Sequence, residues 1–173
     1  REYQIMGHIS LLPQLSSRDN EITFVEKLEH DIVSDFIPSD IDDRTRLLSE
    51  TVVREGQDEF RQLLLQIYSK QCIISSTSTL ETLQAAHICP YLGAESNHPQ
   101  NGLLMRADLH LLFDAFLLSI DPENNTICLS ASLSNTEYAD FADREIRLPT
   151  DIRLHPSKIA LERHYQQFIS QES

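Results

Sequence analysis

Two histidines, an asparagine and an aspartate stand out in one stretch of the chain, LQAAHICPYLGAESNHPQNGLLMRADLHLLFDAFLLSID at 83–121. His87, Asn101, His110 and Asp114 sit among leucine, alanine and isoleucine, where an imidazole is stable only if both ring nitrogens are satisfied. His110 and Asp114 are four residues apart, and on a helix that spacing puts both side chains on one face. An imidazole beside a carboxylate is a ligand pair for a divalent cation. His87 is of the type that takes a proton from water near neutral pH. Hydrolysis of a phosphodiester calls for both functions, because water is a poor nucleophile and the transition state gathers negative charge. An asparagine in the loop between the histidines fixes the backbone around the base. One base, one loop clamp and one metal cradle make a minimal hydrolytic site.

These four residues meet only if a β-hairpin and then a helix carry them. The residues from Leu80 to Ile88 lead as a strand into His87. Residues 91–101 read as a polar loop with Gly93, Asn97 and Pro99, and 103–105 as a second short strand. Asp108 opens a helix running to about Phe116, an acid suited to a first turn. Upstream, EGQDEFRQLLLQIYS at 55–69 is an amphipathic helix with Phe60, Leu63, Leu64, Ile67 and Tyr68 on one face. CIIS at 72–75 reads as a further short strand. Downstream, LLSID and TICLS flank PENN as a β-hairpin. Residues 157–170 form a last helix with Ser157 as its N-cap. Leu111, Leu112, Phe113 and Phe116 read as core, and Tyr91 as either core or site wall. The expected fold class is α+β. A helical piece around 21–35 and an acidic run, PSDIDDR at 38–44, belong to a less regular leading segment.

Composition narrows the class further. A chain of 173 residues with 40% hydrophobic and 24% charged content suits an ordinary soluble globular protein with one main core. No run approaches the roughly 20 apolar residues that a membrane helix needs. Cys72, Cys89 and Cys128 form no CxxC pair, which argues for a reducing, cytoplasmic setting and against a cysteine zinc site. The chain begins with Arg1 rather than Met, the expectation for a fragment of a longer protein. The net charge of −13 runs against a broad nucleic-acid footprint. The acid is lightest between 51 and 115, where 4 basic side chains face 7 acidic ones. Phosphate binding would therefore rest on local arginines and a cation. Arg106 is either a phosphate contact or a surface arginine. Arg54, Gln57 and Arg61 share a helix face that is either solvated or turned toward DNA. His8, His30, His98, His155 and His164 read as structural histidines.

At the quoted residues the sequence resembles the HNH endonuclease family, with its ββα-metal fold. AAHICPY at 85–91 is similar to the first-histidine strand of one HNH branch, and NGLLMRADLHLLFD at 101–114 to that branch's asparagine, second strand and helix. The resemblance extends upstream through REGQDEFRQLLLQIYSKQCII at 54–74 and, more loosely, downstream to the final helix, covering about 52–170. It implies that His87 is the general base, that Asn101 positions the loop, and that His110 and Asp114 hold Mg²⁺ or Mn²⁺, a site that Zn²⁺ or Ni²⁺ also enters. Two departures follow. Many relatives carry a ligand immediately before the first histidine, where this chain has Ala86; Glu81 and Asp108 are the nearby carboxylates. Many also carry CxxC zinc pairs, which are absent.

The resulting expectation is an accessory segment at 1–50 and an HNH nuclease domain at 51–173, cleaving DNA, with restriction or phage defence as the family-level setting. Arg106 and Arg61 are its candidate phosphate contacts. A homodimer or a further domain would supply the second cut and a basic surface, with Ile159, Leu161, Tyr165, Phe168 and Ile169 of the last helix as the contact. The alternatives are a silent module that keeps the ββα scaffold, favoured by Ala86 and the acidic charge, and a metallohydrolase of small substrates.

Overall fold

Phe60, Leu64 and Tyr68 recur every four residues, which lines them up along one stripe of a helix. That helix, α1, spans Glu50–Ile67. The computed structural model describes residues 35–38 and 50–172, with 50–55 as backbone only. The expected helix at 21–35 and the acidic run at 38–44 lie outside the described residues, apart from their edges. α1 starts earlier than its apolar periodicity suggests. It stops at Ile67 because Ser69 and Lys70 take left-handed φ values of 53° and 56°, which a right-handed helix does not accommodate.

The stripe of α1 packs on a hairpin made of β1, Leu83–His87, and β2, Gly102–Arg106. The strands are antiparallel, with Leu83 opposite Arg106 and His87 opposite Gly102. Gly102 is where helix and strand come closest. A Cβ there would sit 2.6 Å from Phe60 Cζ and 2.7 Å from both Leu64 methyls, so only glycine permits this packing. The buried Tyr68 hydroxyl donates to the Gly102 carbonyl at 3.0 Å, and burial raises its pKa.

α2, Ala107–Asp114, follows β2 directly and completes a ββα unit. It ends where Phe116 turns into the left-handed region at φ 54°. A second hairpin, β3 at Leu118–Ile120 and β4 at Ile127–Leu129, matches the expectation. Its turn is organised by the Asp121 carboxylate, which accepts from the N–H groups of Glu123 and Asn124. The last helix, α3, spans Lys158–Glu172, and Ser157 Oγ accepts from the Ala160 N–H at 3.3 Å as its cap. Leu83, Leu103, Met105, Leu109, Phe113 and Leu161 are among the side chains forming one core between these elements. The architecture is α+β, a ββα core with flanking helices and a short hairpin.

Two expectations need correction. Residues 72–75 form a turn rather than a strand. The Cys72 carbonyl takes the Ser76 N–H, and Ile73 gives only one N–H to the sheet, to Leu104 O at 2.9 Å. Leu111 is not core: it is 68% exposed, on the outward face of the short α2. On α3, Leu161 and Phe168 are buried in the core of the chain itself, while Ile159 and Ile169 stay exposed. Residues 35–38 run along the same unit. The Phe36 N–H donates to Gln100 Oε1 at 2.6 Å, and the Phe36 carbonyl accepts from Ser157 Oγ at 2.9 Å. Among the described residues no helix is long and apolar enough to cross a membrane.

His164 joins α3 to the core and carries a pH-dependent share of stability. It is buried, stacked on Phe113 with ring centroids 3.6 Å apart, and bonded to Ser119 Oγ at 2.9 Å and to the Phe113 carbonyl at 3.0 Å. Burial lowers its pKa from 6.5 to about 4. Between those values the unfolded chain binds the proton that the folded chain refuses, so stability falls as pH falls. The loss reaches about 3 kcal/mol near pH 4. Urea midpoints at pH 7 and 4.5 should therefore converge more in His164→Gln than in the wild type; an identical slope in both would assign the acid sensitivity to other groups.

Candidate functional site

His87 closes β1, His110 and Asp114 lie on α2, and the loop 88–101 between the paired residues His87 and Gly102 folds back over the hairpin end. His87, His110 and Asp114 all line one cavity of about 950 Å³, whose walls also include Phe60 and Arg61 of α1 and Arg163 and Gln167 of α3. Four of the sequence-derived site residues, Arg61 among them, thus line one space.

The His87 ring is held on three sides. It stacks on Phe60 with centroids 4.4 Å apart and planes 13° from parallel. Tyr91 stands tilted at 5.8 Å, as a wall of the cavity. Nε2 lies 3.0 Å from Asn97 Oδ1. Burial pushes the His87 pKa below 6.5, and His110 pushes the same way; the bond to Asn97 and the charge of Asp114 oppose them. The net effect favours a neutral ring at pH 7, the form a base requires.

Asn101 is fully buried and does what a loop clamp does. Its Oδ1 accepts from the Cys89 N–H at 2.9 Å, and its Nδ2 donates to the carbonyls of Cys89 at 3.2 Å and Ser96 at 2.9 Å. One side chain ties the residues just after His87 to the middle of the loop. Asn101→Ala leaves these partners unmet, at roughly 1–3 kcal/mol for each one stranded from water. A fall of that size in chemical-denaturation stability is the expected outcome, and a variant as stable as the wild type would contradict the clamp.

His110 and Asp114 face each other, with Nε2 3.3 Å from Oδ2. The other ring nitrogen, Nδ1, lies 2.9 Å from Gln84 Oε1 on β1. With Gln84 Oε1 as acceptor, Nδ1 carries the proton and donates it in a hydrogen bond, which leaves the Nε2 lone pair beside the carboxylate, the arrangement typical of metal-binding histidines. Imidazole nitrogen plus carboxylate oxygen fits a cation such as Mg²⁺ or Mn²⁺ whose remaining positions go to water and a phosphate oxygen. Among the described residues no third protein ligand joins them. Ala86, fully buried, stands where a ligand would precede His87. Asp108 is held by Arg106 through contacts of 2.6 and 2.7 Å, which lower its pKa. Among the described residues no three His, Cys, Asp or Glu side chains gather around a common point.

The two arginines part company. Arg61 lines the cavity with its guanidinium anchored on the Leu80 carbonyl at 2.8 Å and the Leu83 carbonyl at 3.3 Å. Arg106 is not part of the cavity wall; it is paired with Asp108 and lies 6.0 Å from the Phe141 ring centre. Asn97, Gln84 and the α3 residues Arg163 and Gln167 were not singled out from sequence. Gln84 shares a strand face with Ala86 by simple alternation, a signal that was available. Asn97, in a loop without periodicity, offered none.

A search of curated proteins finds no match to the chain. Residues 72–121 match the family model described as HNH endonuclease, a span running from the turn at Cys72 through β1, the loop, β2 and α2 to the end of β3. Over residues 72–121, the stretch that folds as the ββα unit, the chain is thus similar to the HNH endonuclease family.

Proposed function

We propose that the chain is a divalent-cation-dependent nuclease that hydrolyses phosphodiester bonds in DNA. The observation that supports this most is the convergence of His87 with the His110–Asp114 pair on one cavity. In an inert scaffold that gap would be filled by side chains. His87, neutral through burial, takes a proton from water as the water oxygen attacks phosphorus. The P–O bond to the leaving sugar oxygen breaks, and that oxygen gains a proton from solvent. His110 and Asp114 would hold the cation, which when bound would offset charge on the phosphate and the departing oxygen. Arg61 brings a positive charge to the cavity wall that Asp58 and Asp114 would otherwise make acidic. One such site cuts one strand. A second copy or another domain would supply the second cut, and with a net charge of −13 also the basic surface.

A second reading is favoured by Ala86 and the overall charge: a module that keeps the scaffold and binds without cutting. A labelled DNA duplex and a small aromatic phosphodiester, each incubated with Mg²⁺ or Mn²⁺, separate the possibilities. Cleavage of the duplex, with nicks before double-strand breaks, is expected. Turnover of the small ester alone, or duplex binding without cleavage, would contradict the proposal.

A further inference from the structure

The loop asparagine Asn97 bridges the catalytic histidine and helix α1. Its Nδ2 lies 3.3 Å from the Gly56 carbonyl, and its Oδ1 lies 3.0 Å from His87 Nε2. A backbone carbonyl only accepts, so the amide must turn its NH₂ toward Gly56 and its oxygen toward His87. That oxygen in turn only accepts. In the neutral ring the proton therefore resides on Nε2, and the lone pair on Nδ1.

We propose that Asn97 is a positioning residue that fixes His87 as the Nε2–H tautomer, making Nδ1 the atom that receives the proton from water. A free imidazole populates both tautomers, and a base whose lone pair sits on the wrong nitrogen is inert in a fixed ring. Here the ring is fixed, because Phe60 covers one face at 4.4 Å. Asn97 closes the short turn Ala94–Asn97, and Asn101 holds the carbonyl of the preceding residue, Ser96, at 2.9 Å. The clamp thus acts on the base through Asn97. The inference rests on the reading of His87 as the base, but the tautomer itself is observable without any cleavage.

The test uses the full chain labelled with ¹⁵N-histidine, with the His87 signals identified by comparison with His87→Gln. At pH 8 the wild type should show His87 protonated on Nε2. Asn97→Asp keeps the acceptor and loses the donor to Gly56; Asn97→Ala loses both. Asn97→Asp should keep the Nε2–H signature and stay within a few-fold of wild-type kcat. Asn97→Ala should show mixed tautomers and lose roughly ten-fold or more in kcat with KM little changed. If Asn97→Ala keeps the Nε2–H tautomer, or if Asp and Ala lose kcat alike, the assignment is overturned and Asn97 only braces the loop against α1. If the wild type cleaves nothing, the function fails while the ¹⁵N spectra still decide the tautomer.

Discussion

His87→Ala is expected to lose about 10²- to 10⁴-fold in the rate of DNA cleavage, the span that a positioned general base contributes, while the chain stays folded. The ring makes one hydrogen bond and one stack, so its removal trims the edge of the core rather than opening it. Circular dichroism at working temperature separates lost chemistry from lost fold. The wild-type pH profile gives the same assignment a second handle. A base needs the neutral ring, and burial holds the His87 pKa below 6.5. Cleavage should therefore persist below the pH at which an exposed histidine would be half protonated, and the acid limb should vanish with His87. A folded His87→Ala protein cutting at near wild-type rate would remove His87 from the mechanism.

The second large effect falls on cation binding. If His110 and Asp114 are the protein's share of the ligand set, as proposed, each carries much of the affinity. His110→Ala and Asp114→Ala should each weaken Mn²⁺ binding, read by calorimetry, by about ten-fold or more, and Gln84→Ala by less, since it orients the ring without touching the ion. The order matters as much as the sizes, because a structural ion pair on an exposed helix face would show no change in cation affinity at all. Unchanged Mn²⁺ affinity in both ligand variants would mean that the 3.3 Å pair is an ordinary helix contact.

The parts of this fold that follow a period were legible in the sequence. Phe60, Leu64 and Tyr68 announce α1 by their spacing, and the apolar strands around Ala85 and Leu104 announce the hairpin whose register sets His87 opposite Gly102. His110 and Asp114 are neighbours because a helix makes them so. What the sequence hid is what depends on tertiary approach. Leu111 looked like core, yet α2 is only eight residues long and covers the sheet with Leu109 and Phe113, leaving Leu111 in solvent. Arg106 looked free to meet phosphate, but Asp108 two residues on satisfies it locally. Arg163 and Gln167 reach the cavity only through the docking of α3, which begins 44 residues beyond Asp114 and has no local signature of that destination. Asn97 was visible as a loop residue, but its two partners lie 10 and 41 residues away.

The central claim is that His87 and the His110–Asp114 pair act as one site. Single-turnover cleavage in Mn²⁺, measured for His87→Ala, His110→Ala and the double variant, tests it most directly. Residues that serve one transition state are strongly non-additive, so the double variant should be about as slow as the slower single one. Losses that multiply across the two positions would mean that His87 and His110 act independently rather than as one site, and would contradict the account.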